Sequence, residues 1–282
     1  MRATPISPIP LLIIILICGC FVGSPLAQEY IGGGEIAAIG SGSAGVAVAG
    51  WMVLNVDSSR AQLIGGPLPL ERKLQRLLGG SYYEGKSNFL DNSFGSVATP
   101  LVAGVALLTA DMCWPQGDKS KTILQDFFLY STGLMTTSGL TDLAKGLIAR
   151  ERPMLSLYPE NNARHTDANK SYNRHSFFSG HTSGAFFAAS FANIRIRSIM
   201  RSEITPSEYR RWRWLPPTLL YGWAGFVGWS RIHAYKHFVS DVLVGATVGY
   251  LVAELFYHFG NGAYSALDGE ATPMMISINF KF

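Results

Sequence analysis

The chain has 282 residues, of which 48% are hydrophobic and 15% charged, with a net charge of +4 and a mean hydropathy of +0.18. That length fits one large domain, or one domain with an N-terminal extension, more apolar than a usual soluble enzyme but short of a uniformly membranous transporter. So modest a charge, with the aromatic residues sitting in apolar runs and not along a basic stripe, excludes a nucleic-acid binder.

The first element reads as an export signal over residues 1–27. Arg2 supplies a short positive region, Leu11 to Cys18 an apolar core, and Pro25-Leu26-Ala27 a small-residue site before Gln28. An uncleaved anchor helix and a lipoprotein signal around Ile17-Cys18-Gly19-Cys20 are the alternatives. All three put the body of the protein beyond the cytoplasm, at the cell envelope. Two of the three cysteines fall inside this segment, so Cys113 stands alone in a mature chain, where it reads as inert filler and no intrachain disulfide can form.

Residues 28–93 read as an extension, first apolar and then polar. Glu35 to Val56 is long enough to span a bilayer, but its glycines weaken it as a helix. Asp57 to Asn92 is polar and turn-rich, with Gly65-Gly66-Pro67 and Gly79-Gly80. Residues 94–262 read as an all-α bundle, with helices predicted over about Ser96–Met112, Thr122–Ala149, Thr182–Arg197, Leu215–Gly228 and Ser240–Phe259. Pro153, Gly180 and Pro216-Pro217 mark their edges. The segment from Arg195 to Arg213 carries six arginines and two glutamates; it is either a cytoplasmic loop of a membrane protein or a solvated face of a soluble one. Residues 263–282 form a C-terminal extension whose Met274–Phe282 alternates apolar and polar residues like a short strand.

Three clusters within the bundle carry chemistry. Lys145 and Arg152 are seven residues apart on a predicted helix, hence two turns apart on one face, and a guanidinium fork plus an ammonium suits phosphate oxygens. Basic residues near a helix C-terminus also suit the macrodipole, which is the plainer explanation. Ser179-Gly180-His181 begins the next helix, where free N–H groups favour an anion and the serine hydroxyl caps the helix or donates to it. His181 is a candidate acid toward a leaving alkoxide. In the third cluster His237 and Asp241 are four apart, so the carboxylate can hold the far ring nitrogen and leave the near one to attack, while Arg231 neutralises charge in the transition state. His165, His175 and His233 are read as solvated or supporting. No group of carboxylates, histidines or cysteines has metal-ligand spacing.

In order and spacing these clusters resemble the superfamily that unites type 2 phosphatidic acid phosphatases, bacterial nonspecific acid phosphatases and vanadium haloperoxidases. Its pattern is Lys, six residues, Arg-Pro; then Pro-Ser-Gly-His; then Ser-Arg, five residues, His, three residues, Asp. The chain matches every spacing over about Thr122 to Phe259 and departs at Phe178, where the family has proline. The resemblance implies a helical bundle of that kind. It implies His237 as a nucleophile that forms a phosphohistidine, Asp241 as its orienting partner and His181 as the acid. Lys145, Arg152, Ser179, Gly180 and Arg231 then bind the phosphoryl group, with no metal and no other cofactor. The expected function is hydrolysis of phosphate monoesters or diphosphates of envelope lipids, on the periplasmic side of a bacterial envelope and in association with its membrane. A soluble periplasmic acid phosphatase would use the same residues. A vanadate-dependent haloperoxidase and a non-catalytic envelope protein are further readings.

Overall fold

The computed structural model describes residues 33–55, 67–80, 98–114, 119–157 and 173–267. The signal segment, His165 and the strand-like tail lie outside them. Every described element is a helix: α1 Gly33–Asn55, α2 Pro69–Leu78, α3 Thr99–Cys113, α4 Lys119–Ile148, α5 Pro153–Ser156, α6 Gly180–Glu203, α7 Pro206–Trp212, α8 Leu215–His233 and α9 Val239–Leu267. The five predicted helices are present, most of them longer than their periodicity suggested. α9 runs beyond the expected boundary at residue 262.

Six of these helices pack as a bundle, and their pairings fix its directions. α1 runs with α4, since Gly139 lies against Ala47 and Gly146 against Val53. α6 runs against α4, with Thr141 Oγ1 3.1 Å from Ser183 Oγ at one end and Arg195 ion-paired with Asp126 toward the other. α3 and α9 run with α6, and α8 against it, Tyr221 donating to Ser190. The C-terminal ends of α1, α4 and α8 therefore meet the N-terminal ends of α3, α6 and α9 at one end of the bundle.

Glu35 to Asn55 is one continuous helix despite its glycines. α1 lies lengthwise on α4 because its small residues let two backbones touch: a β-carbon on Gly139 would come within 2.7 Å of the Ala47 Cα and nitrogen. The propensity penalty of glycine is outweighed by this close approach. Gly245 works in the same way, where a β-carbon would meet the Ser179 carbonyl oxygen at 2.7 Å.

Leu107, Phe128, Leu129, Tyr130, Phe187, Phe191 and Val252 form the main core, and the buried Tyr130 hydroxyl donates to the Pro100 carbonyl at 2.6 Å. Deeper along the bundle, Arg195 Nε lies 2.8 Å from Asp111 and 2.7 Å from Asp126, an ion triad that ties α3, α4 and α6. The outside is apolar as well. Leu101, Val102 and Val105 of α3, Leu219, Trp223, Phe226 and Trp229 of α8, and Leu243, Leu251 and Leu255 of α9 are all exposed. Ala37–Asn55 and Val239–His258 are long and apolar enough to cross a bilayer. Cys113 is exposed at the end of α3 and fills no core.

Candidate active site

α4 does not carry Lys145 and Arg152 on one continuous face. It ends at Ile148, because Ala149 takes a left-handed conformation (φ 48°) and donates its N–H to the Lys145 carbonyl at 3.0 Å. Proline 153 does not stop α4; it opens α5, where a missing N–H is harmless. Lys145 stays in the last turn of α4 with its ammonium over the start of α6. A β-carbon on Gly180 would lie 3.4 Å from Lys145 Nζ and 3.0 Å from Thr141 Cγ2, so the glycine leaves that space to the lysine.

Arg152 sits beyond the helix as the N-cap of α5. It is 4% exposed, and its guanidinium donates to the carbonyls of Lys236 (3.0 Å) and His175 (3.3 Å) while its N–H donates to Asn173. It thus pins three chain segments around the site. His175 is buried under this arrangement and is not solvated. Burial and the charges of Lys145 and Arg152 bring its pKa down to about 4.

Ser179 is fully buried and caps α6, its Oγ accepting from the Thr182 N–H at 3.4 Å and from the Thr182 hydroxyl at 2.9 Å. Its own N–H donates to the Asp241 carbonyl at 3.0 Å, which locks the start of α6 to the start of α9. His181 follows in the first turn; burial, and then the charges of Arg231, His237, Lys145 and Arg152, push its pKa down, a shift that a phosphoryl dianion among those cations would oppose. Phe178 is buried, with its ring edge-on to Phe177 at 6.0 Å. It fills the position before the cap by packing, where proline would fill it by a fixed φ.

Arg231 lies buried in the last turn of α8, its Nε donating to Ser230 Oγ at 3.3 Å. Tyr235, left-handed at φ 53°, turns the chain back so that the N–H groups of Lys236 and His237 both reach the Arg231 carbonyl. His237 precedes α9 and is 3% exposed. Its Nδ1 lies 2.7 Å from the Ser176 carbonyl and 3.8 Å from Asp241 Oδ2. A carbonyl only accepts, so Nδ1 carries the proton and Nε2 presents its lone pair. Burial lowers the His237 pKa, Asp241 opposes that shift, and the charges of Arg152 and Lys145 reinforce it, leaving it at about 4. The ring is therefore neutral at pH 7.

The expected direct bond between Asp241 and the ring is replaced by an indirect one. Asp241 belongs to the first turn of α9, so its Oδ2 turns back to accept the Phe238 N–H at 2.9 Å and the Ser176 hydroxyl at 2.6 Å. It holds the residue whose carbonyl holds His237. Its other oxygen accepts from Arg150 Nη1 at 2.5 Å. The same guanidinium donates to Ser240 Oγ at 2.8 Å and to Glu71 Oε2 at 2.7 Å, stacks 4.5 Å from the Phe238 ring centre, and Ser240 in turn gives Glu71 a short hydrogen bond. Arg150, Ser176, Ser240 and Glu71 had escaped the sequence reading. Arg150 and Ser240 adjoin recognised residues and could have been suspected. Glu71 is 169 positions from Ser240 and gives no local signal.

All eight residues singled out in the sequence thus belong to the same end of the bundle. With Asp241 neutralised by Arg150, the charge left around the two imidazoles is cationic, which suits a phosphoryl dianion. Among the described residues no three His, Cys, Asp or Glu side chains gather as metal ligands. The buried neutral rings also set an acid response. Both His175 and His237 titrate near 4 when folded against an ordinary 6.5. Between those values the unfolded chain binds more protons, so their contribution is full above about pH 6.5 and is lost as the pH falls through about 4. The thermal midpoint in detergent should fall from about pH 7 to about pH 4, and His175→Gln should soften that fall. Unchanged acid sensitivity in the variant would contradict a neutral buried ring at 175.

The PAP2 superfamily model matches residues 126–264. Phospholipid phosphatase 2 of Bos taurus is 30% identical over 161 residues, covering 50% of this chain and 53% of the relative. Phospholipid phosphatase 2 of Homo sapiens is 33% identical over 144 residues, covering 44% and 46%. The chain spans about half the length of these curated relatives. The crystal structure of a transmembrane PAP2-type phosphatidylglycerolphosphate phosphatase from Bacillus subtilis aligns with a TM-score of 0.43 at 16% identity, over 90% of this chain and 96% of that one.

Proposed function

The chain is a member of the PAP2 superfamily through residues 126–264, and on that premise we propose that it is a phosphatase of envelope lipid phosphates working through a phosphohistidine. The observation that carries this reading is the held tautomer of His237: Nδ1 bonded to the Ser176 carbonyl, Nε2 free, and Lys145 and Arg152 acting on the ring. Nε2 attacks phosphorus as the P–O ester bond breaks in line, and His181 delivers a proton to the leaving alkoxide. Water then attacks phosphorus, His181 takes its proton, and breakage of the P–N bond releases phosphate and restores His237. Lys145, Arg152 and Arg231, with Ser179 and the Gly180 N–H, hold the phosphoryl oxygens as charge builds on them.

A lipid substrate is favoured over a sugar phosphate by the exposed apolar residues of α3, α8 and α9 and by the two spans of bilayer length. The arginine-rich segment takes in the C-terminal turns of α6 and the α7 that follows, whereas His181 lies in the first turn of α6, so the two lie toward opposite ends of the bundle. Arginines collect on the cytoplasmic side of membranes, which supports the reading that the site faces the periplasm of a bacterial envelope.

Purified full-length protein should release phosphate from phosphatidic acid or phosphatidylglycerophosphate in mixed micelles faster than from p-nitrophenyl phosphate, with a chelator making no difference. A preference for the soluble ester, with release from cells without detergent, would favour a soluble acid phosphatase. No release from any phosphate ester would overturn the reading.

A further inference from the structure

α2 is built inside out. Its polar residues Glu71 and Gln75, one turn apart, are its buried ones, whereas Leu68 just before it and Leu70 and Leu77 within it are 66%, 65% and 75% exposed. The inward face is polar because its surroundings are. Gln75 Nε2 donates to the Ile232 carbonyl at 2.7 Å, and the Gly80 N–H donates to the His233 carbonyl at 3.1 Å, so the segment bonds to carbonyls at the end of α8. Glu71 accepts from Arg150 and Ser240 and from the Leu68 N–H. Burial pushes its carboxyl pKa up, but these bonds and the Arg150 charge outweigh that and hold it ionised below the ordinary range. The outward surface joins the leucines to Arg72, Lys73 and Arg76, all exposed.

An apolar stripe beside a cationic one is what a helix lying in a lipid headgroup layer presents. The end of the bundle that α2 covers is the end at which the two spans of bilayer length, in α1 and α9, emerge, so α2 sits at the level where such a layer would be. We propose that α2 seats on an anionic lipid surface and that Glu71 is a positioning residue, which aligns Arg150 on Asp241 and through Ser176 aligns the His237 ring. Lipid seating and alignment of the nucleophile are then one mechanical unit. The catalytic half of this inference rests on the proposed phosphatase reading; the lipid-binding half does not.

The test uses full-length protein in phosphatidylcholine vesicles with and without phosphatidylserine. Amide hydrogen exchange of residues 69–78 is read beside kcat and KM on p-nitrophenyl phosphate. Phosphatidylserine should slow exchange in α2 several-fold and raise kcat. An R72Q/K73Q/R76Q chain should lose both responses and keep wild-type kcat in pure phosphatidylcholine. E71Q should lower kcat about tenfold in both membranes with KM unchanged, as misalignment without lost binding does. Exchange that ignores phosphatidylserine, or that responds equally in the triple variant, overturns the lipid surface. Wild-type kcat in E71Q, or a loss confined to KM, overturns the positioning role. Absence of phosphatase activity in the wild type overturns the enzymatic reading and the positioning role with it, while the exchange measurement still decides the surface.

Discussion

Replacing His237 with Gln is expected to reduce phosphate release by about a thousandfold or more, because it removes the atom that would bond to phosphorus. Gln can still donate toward the Ser176 carbonyl that Nδ1 contacts in the native protein, at 2.7 Å, so the loop before α9 should keep its path. Quenching the wild-type reaction on radiolabelled substrate should trap an acid-labile, base-stable phosphoprotein that the variant lacks. His181→Gln is expected to differ. It should slow esters with poor leaving groups far more than p-nitrophenyl phosphate, whose phenolate leaves without a proton. Near-wild-type turnover in His237→Gln, with an unchanged thermal midpoint, would end the covalent mechanism.

Arg150→Met is expected to cost about 3–5 kcal/mol of stability, since it strands two carboxylates that are themselves buried. The side chains of Arg150, Glu71 and Asp241 are 7%, 11% and 0% exposed, so solvent screens this cluster weakly. Thermal unfolding in detergent should show the loss, and activity should fall with it, because Asp241 would no longer be fixed against Ser176. Adding Glu71→Gln to Arg150→Met should recover part of the stability by removing one unpaired charge, and little of the activity. Effects of the two substitutions that merely add would contradict a shared cluster. So would an Arg150→Met chain as stable as the wild type.

Both outcomes turn on residues of unequal visibility in the sequence. His237 was legible because its spacing to Arg231 and Asp241 is local, and a few intervening residues can hold only a few geometries. The same holds for Lys145 and Arg152, yet even there the local inference of a single helical face failed. Ala149 takes a left-handed turn that nothing in its side chain announces, and α4 stops four residues before Pro153 would have stopped it. Glycines in Glu35–Val56 were read for their propensity alone, and propensity is blind to a partner backbone. Only the docking of α1 on α4 shows that the missing side chains are what permit the contact.

By itself, then, the sequence determined the helical class, the approximate position of five helices, and eight residues whose order and spacing match one superfamily's motifs, on which the proposed phosphoryl chemistry rests. Tertiary structure decided how those residues are held. The His237 ring is fixed by the Ser176 carbonyl and not directly by Asp241, and Asp241 is paired with Arg150, whose guanidinium is also held by Glu71 from a short helix that no periodicity revealed. The reason is physical. Periodicity and spacing encode what lies within a turn or two of a residue. A buried charge must instead find its counter-ion wherever the packed chain brings one, and for Asp241 that is Arg150, 91 positions away.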